Sequence, residues 1–247
     1  PPGEKPSETA PGDTQAPETA PPETVEPSAQ PSGWSFPGVF TDGEIVSTDT
    51  VYKSENVSIK ISTGRQKVVN GKAVYYIADI YVRDKKHFRT ALESGEKFKR
   101  ELATVAEIAQ KNNALVAITG DNCLGVSGRT GPVVRNGKLY RENSYEDVLV
   151  MYHDGTMKTF TRKEFDIGQV KKTGAWQVWS FGPMLLKNGK SMKTFNSRVT
   201  EPNPRAAIGY YEPGHYCFVL VDGRQRNYSN GMTMEELSRL MESLGCK

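Results

Sequence analysis

The chain has 247 residues, 36% of them hydrophobic and 25% charged, with a formal charge of +3. That length allows one large domain or two small ones, and the composition suits a soluble protein carrying a polar tail. No apolar run approaches the ~20 residues a membrane helix needs. Cys123, Cys217 and Cys246 allow one pair but make no disulfide framework, and with the three histidines they show no metal-ligand spacing.

Residues 1–33 contain nine of the fifteen prolines, no aromatic residue, and Glu-Thr-Ala-Pro at both 8–11 and 18–21. Six acids against one lysine give this stretch −5, which leaves +8 on residues 34–247. Such a segment cannot bury enough apolar surface to offset its ordering entropy, so a disordered Pro/Thr/Glu-rich linker is expected. The chain opens at Pro1-Pro2 with neither an initiator Met nor a signal peptide. We therefore expect an export signal, or a membrane or wall anchor, upstream, and an extracytoplasmic, secreted or surface-anchored location. A +8 domain suits an anionic ligand, although a solvated surface with scattered lysines is the simpler account.

From Trp34 the pattern becomes that of a folded domain, expected to span 34–247. Alternating apolar positions at 44–52, 55–63 and 72–83 predict strands, with Val74, Tyr76, Ala78, Ile80 and Val82 on one face and a hairpin turn at Asn70-Gly71. A helix is predicted over about 96–112, with Phe98, Leu102, Val105, Ile108 and Ala109 on its apolar face. Ala114–Ile118 reads as a short buried strand leading into Thr119-Gly120-Asp121. Asn136-Gly137, Asp154-Gly155 and Asn188-Gly189 mark further hairpins, and a shorter helix is expected near 161–171. Strands at about 205–211 and 216–222 flank Glu212-Pro213-Gly214-His215. The last element is a helix capped by Thr233 with Glu236 closing a capping box, its buried stripe being Met234, Leu237, Leu240, Met241 and Leu244. Strands without strict alternation with helices predict an α+β fold: a mixed, mainly antiparallel sheet with two main helices.

Four segments in order resemble the phosphodiester glycosidase family, which includes N-acetylglucosamine-1-phosphodiester α-N-acetylglucosaminidase. They are Ala117-Ile118-Thr119-Gly120-Asp121 with Gly131 through Tyr140; Ser180-Phe181-Gly182-Pro183 with Lys187-Asn188-Gly189; Asn203-Pro204-Arg205-Ala206-Ala207-Ile208-Gly209; and Val221-Asp222-Gly223-Arg224 with Ser229-Asn230-Gly231-Met232-Thr233 and the closing helix. Order and spacing, over roughly 115–246, carry the resemblance. Thr119 stands where the family usually has Asn, and Asn122-Cys123 where it has aromatics. The family also places an Asn-Leu-Asp-Gly-Gly type segment past the terminal helix. That segment is expected to lie beyond Lys247, so part of the active site is expected there too.

The resemblance implies cleavage of sugar-1-phosphodiester bonds. The leaving phosphate is already anionic, so the chemistry needs a carboxylate near the developing oxocarbenium ion and cations on the phosphate. Arg205 is the first phosphate candidate, because its guanidinium matches phosphate oxygens bidentately; a structural arginine paired with an acid is the alternative. Arg224 is the second. Asp121 is either a catalytic carboxylate or an Asx-turn residue, and Asp222 either catalytic or a turn carboxylate. Ser229, Asn230 and Gly231 precede a helix N-terminus that suits phosphate, although a plain turn explains them too; Gly120, beside Asp121, is a further substrate-binding candidate, and Gly182-Pro183 shapes backbone near the ligand. His87 and His153 read as surface groups, while His215 in its hairpin turn is a weaker acid candidate.

A sugar phosphate or anionic glycan is the expected partner and no cofactor is expected. The chain has no P-loop and no nucleophile elbow. It lacks the Lys/Arg stripe with interleaved aromatics that nucleic-acid surfaces show, so no nucleic acid is expected. A non-catalytic wall- or glycan-binding module is the competing reading.

Overall fold

The computed structural model describes residues 33–93, 103–120, 131–143, 146–180 and 182–247, all within one compact unit, Gly33–Lys247. The expected linker over 1–33 therefore lies outside the described residues, apart from Gly33. So do Asp121, Cys123 and most of the N-terminal half of the helix expected at 96–112.

Thirteen strands and three α-helices are described. β1 (Val46–Ser47), β2 (Val51–Lys53), β3 (Val57–Val68) and β4 (Gly71–Val82) form an antiparallel meander. α1 is Val105–Lys111. Then come β5 (Val133–Arg135), β6 (Lys138–Arg141), β7 (Val148–Met151), β8 (Met157–Phe160), α2 (Ile167–Thr173) and β9 (Gln177–Trp179). The hairpin β10 (Leu186–Lys187) and β11 (Lys190–Ser191) precedes β12 (Arg205–Glu212), β13 (His215–Val221) and α3 (Met234–Ser243). The six-stranded sheet runs β1-β2-β3-β4-β13-β12 and the five-stranded sheet β6-β5-β9-β7-β8, with antiparallel pairings throughout. The architecture is α+β and mainly antiparallel, as the patterning predicts.

Alternation along the strands sets the layers, because successive side chains take opposite faces. Ala73 on β4, Cys217, Val219 and Val221 on β13, and Ala207 on β12 turn to α3, whose Met234, Leu237, Leu240 and Met241 are buried against them. Ala78, Ile80, Val82 and Tyr216 take the other face and pack on Met151, Met157 and Trp179 of the second sheet. Val148, Val150 and Val178 turn the far face of that sheet to Val170 of α2. Trp34 joins the inter-sheet core, its ring edge-on to Tyr216 at 6.5 Å.

The turn expected at Asn70-Gly71 is instead Val69-Asn70, since Val68 pairs with Gly71, and at Asp154-Gly155 only the glycine takes positive φ, 84°. Asn136-Gly137 and Asn188-Gly189 hold the paired positive φ angles (51° and 82°; 52° and 72°) that two-residue hairpins favour. α3 begins as its sequence predicts, with the Thr233 hydroxyl accepting from the Glu236 N–H while the Glu236 carboxylate accepts from the Thr233 N–H. The other oxygen of Glu236 accepts the Val69 N–H at 2.7 Å, tying the helix start to the β3–β4 turn.

Several expected elements differ. The strand expected over 44–52 is instead the β1–β2 hairpin, with Val46 paired to Lys53, and the helix expected near 161–171 begins at Ile167, where Asp166 caps it. The helix expected over 96–112 is described only as Val105–Lys111, because a second capping box, Thr104 with Glu107, starts a helix there. None of its residues is buried, and Val105, expected on the apolar face, is 39% exposed. Ala114–Ile118 is not a strand: no partner edge among the described residues pairs with it, and Leu115 is 54% exposed. A short apolar run specifies a strand only when a neighbour supplies its hydrogen bonds.

Candidate active site

The site is organised around the start of β12, where Asn203-Pro204-Arg205 meets the turn before α3. Asn203 and Met232 exchange two backbone hydrogen bonds of 3.1 Å. Gly231, at φ 89°, approaches so closely that a Cβ there would lie 2.4 Å from the Asn203 carbonyl oxygen. Only glycine meets both the space and the conformation.

This clasp aims two arginines. Arg205 is half-buried; its Nε donates to the Met232 carbonyl at 3.0 Å and its Nη2 to the Glu201 carbonyl. Arg224, at φ 59°, donates from Nη2 to the Asn203 side-chain oxygen at 2.7 Å. The Asn203 amide in turn donates to the Glu201 carbonyl at 3.1 Å. Burial, and secondarily the charge of Arg224, press the Arg205 guanidinium below the usual arginine range. Among the described residues neither arginine forms an ion pair with a carboxylate. Two like charges are thus held within electrostatic reach of each other, an arrangement an anion would relieve.

Arg205 also borders a cleft of about 980 Å³. Its lining includes β12 from Arg205 to Tyr210 with the preceding Pro204, β8 with Leu149 and Trp179, and Met234, Leu237 and Met241 of α3. Gly120 lines the same cleft, packed so tightly that a Cβ would sit 3.1 Å from the Trp179 ring. The cis Gly182–Pro183 bond lies at its border. The described charged side chains lining it are Lys158, Arg205, Lys247 and Asp147, so cations predominate.

Asp147 carries no motif that sequence reading could have used. It is buried, accepting the Met184 N–H at 3.0 Å and the Asn196 amide at 3.3 Å. It is the one side-chain carboxylate among the described lining residues. Its only sequence signal is an acid directly before a strand of buried valines.

The other expected residues are distributed around this core. Asp222 extends β13, its N–H donating to the Val74 carbonyl at 2.9 Å. Its carboxylate is felt by the Tyr76 phenol, which is raised chiefly by the Tyr228 hydroxyl 3.0 Å away and by burial, then by the Tyr228 and Asp222 charges, against Arg65. Register pairs Tyr76 with Leu220 and Arg205 with Val221, so strand alternation sets Tyr76 and Arg205 on opposite faces. Ser229 is fully buried: its hydroxyl donates to the Asp222 carbonyl and accepts the Val74 N–H, and its own N–H donates to the Gln225 carbonyl. It therefore acts as an internal strut at this end of the sheet. Gly120 and Arg205 share the cleft; Asp222, Arg224, Ser229 and Gly231 are not among its described lining residues. Asp121 lies outside the described residues. His215 opens β13, stacked between Tyr81 and Tyr211 with Nε2 2.7 Å from Asp79. That places it roughly 20 Å along the strand from Asp222, too far to serve as an acid beside it.

Residues 107–247 match the family model described as phosphodiester glycosidase, more than half of the chain. The chain belongs to the phosphodiester glycosidase family. The matched region holds β5 through α3, and with them the cleft, the clasp and both arginines. The chain is also 28% identical, over 151 residues, to the SPbeta prophage-derived uncharacterized protein YomE of Bacillus subtilis (strain 168). That stretch is 58% of this chain and 23% of YomE, so the chain spans about a quarter of that curated relative.

Proposed function

We propose that this phosphodiester glycosidase domain hydrolyses sugar-1-phosphodiester bonds in a cell-envelope or extracellular polysaccharide. The observation that carries the reading is the Arg205–Arg224 pair, held by the Asn203–Met232 clasp beside a cation-rich cleft. The phosphate would lie against these cations, its charge growing as the anomeric bond breaks and their attraction growing with it. A stable anionic leaving group needs little proton donation, which suits a cleft without a pair of acids among its described residues. The carboxylate facing the oxocarbenium ion would come from Asp121, on the family motif, with Asp147 already in the cleft.

An anionic-glycan-binding module is the second reading. It is favoured by the engagement of Arg205 Nε and Nη2 with backbone carbonyls, which leaves less of the fork for a ligand. Calorimetric titration and turnover, run on one preparation of protein extended past Lys247 through the family's Asp-Gly-Gly segment with UDP-GlcNAc-like and aryl-phosphodiester sugars, separate the two. Binding with sugar release supports the enzyme; binding with no release supports the module; neither binding nor release would remove both.

The proposal extends to residues 1–33 as a tether and to an extracytoplasmic site of action. Limited proteolysis back to Trp34 should leave the thermal transition unchanged. A fall of several degrees would mean that the segment packs on the domain.

A further inference from the structure

Outside the arginine clasp, the described residues bring two thiols into mutual reach. The Cys217 and Cys246 sulfurs are 3.8 Å apart, both buried, and neither is bridged. Cys217 sits mid-strand on β13 and Cys246 just past α3. The space between strand and helix end exists because residue 209 has no side chain. A Cβ on Gly209 would lie 2.5 Å from the Cys217 sulfur and 2.7 Å from that of Cys246. The Tyr211 phenol interacts with both thiols, and the cross-strand partner of Cys217 is Asp79. Cys246 is one of the residues lining the cleft, although only 3% of it is exposed, so the reagent must approach from the cleft side.

We propose that Cys217 and Cys246 form a redox-modifiable pair in the cleft wall, oxidised to a disulfide by a low-molecular-weight disulfide. The steps balance as two thiol–disulfide exchanges. Cys246, deprotonated, attacks one sulfur of the small disulfide; the S–S bond breaks, and the departing thiolate takes up the proton Cys246 released. Cys217, deprotonated in turn, attacks the Cys246 sulfur of the mixed disulfide, forming the Cys217–Cys246 bond. The second small thiolate leaves and is protonated. Two protein thiols are oxidised and one small disulfide is reduced to two thiols. Cys246 attacks first because its neighbour's S–H favours its thiolate, whereas the same contact and burial push Cys217 up.

The bond would staple the end of α3 to the centre of the six-stranded sheet. It would close a loop of roughly 30 residues, which constrains the unfolded chain. Close packing of two inert small side chains is the alternative.

The test uses the intact protein, reduced and then equilibrated with oxidised glutathione without denaturant. Free thiols are then alkylated and the chain is mapped by mass spectrometry, with Tm followed in parallel. The expected product has lost two hydrogens, with the peptides carrying Cys217 and Cys246 joined. Its Tm should rise by roughly 5–15 °C and return on dithiothreitol treatment. Cys217→Ala should remove both the link and the rise. Full alkylation of both thiols after equilibration, a lasting glutathione adduct on Cys246, or a bridge through Cys123 would each overturn the proposal.

Discussion

Two of the stretches that reach the cleft are built differently. From Asn203 to Lys247, a registered strand pair feeds a capped helix, and the turn between them is fixed by Gly231, Ser229 and Glu236. From Thr104 to Gly120, a two-turn helix with no buried residue leads into a segment without regular structure. Both helices begin from the same capping box, Thr104 with Glu107 and Thr233 with Glu236. The box starts a helix; whether that helix docks depends on a sheet face waiting to receive its apolar stripe. The C-terminal stretch therefore holds cations rigidly. The other delivers Gly120 against Trp179 with little packing of its own.

Substitutions should separate the two regions sharply. The largest effect is expected at Leu240, buried in the α3–sheet core: Leu240→Ala should cost about 2–5 kcal/mol in chemical denaturation. A loss under ~1 kcal/mol would mean that α3 is not docked as described. Glu236→Ala should cost about 1–3 kcal/mol, since it removes the cap and leaves the Val69 N–H without its partner. Its Tm should fall further than that of Glu107→Ala, whose box is exposed. If the two fall equally, the tie to the β3–β4 turn contributes nothing. Val105→Ala, on the exposed face of α1, should stay within about 0.5 kcal/mol of wild type. A loss above ~2 kcal/mol there would show that this helix packs as tightly as α3 and would erase the contrast.

The same contrast explains what the sequence makes legible. The hairpins at Asn136-Gly137 and Asn188-Gly189 follow from their Asn-Gly pairs because positive φ is a local demand, met or not met within a few residues. α3 is legible because its box and its apolar stripe agree. At 96–112 the two signals conflict: the apolar stripe runs straight through Thr104-Val105-Ala106-Glu107, a start signal as strong as the one at 233. At 114–118 the apolar run has the composition of a strand, but no pairing edge among the described residues reaches it. Within the site, Arg205 is legible as a charge but its partners are not: nothing local announces that two of its donors hold Met232 and Glu201 carbonyls. Asp147 and the Cys217–Cys246 approach arise only from folding, since their partners lie tens of residues away in the chain.

The most direct test of the account is steady-state kcat/KM for sugar release by protein extended past Lys247 through the family's Asp-Gly-Gly segment, measured for wild type and Arg205→Ala on a sugar-1-phosphodiester and on an aryl glycoside. Wild type should cleave the phosphodiester and spare the glycoside. Arg205→Ala should lose at least ~10²-fold on the phosphodiester, about 2.7 kcal/mol of transition-state stabilisation. Arg205→Lys should recover only part, because an ammonium cannot reproduce the guanidinium fork. Equal hydrolysis of both substrates, or an Arg205→Ala variant with unchanged kcat/KM, would contradict the arginine-centred account.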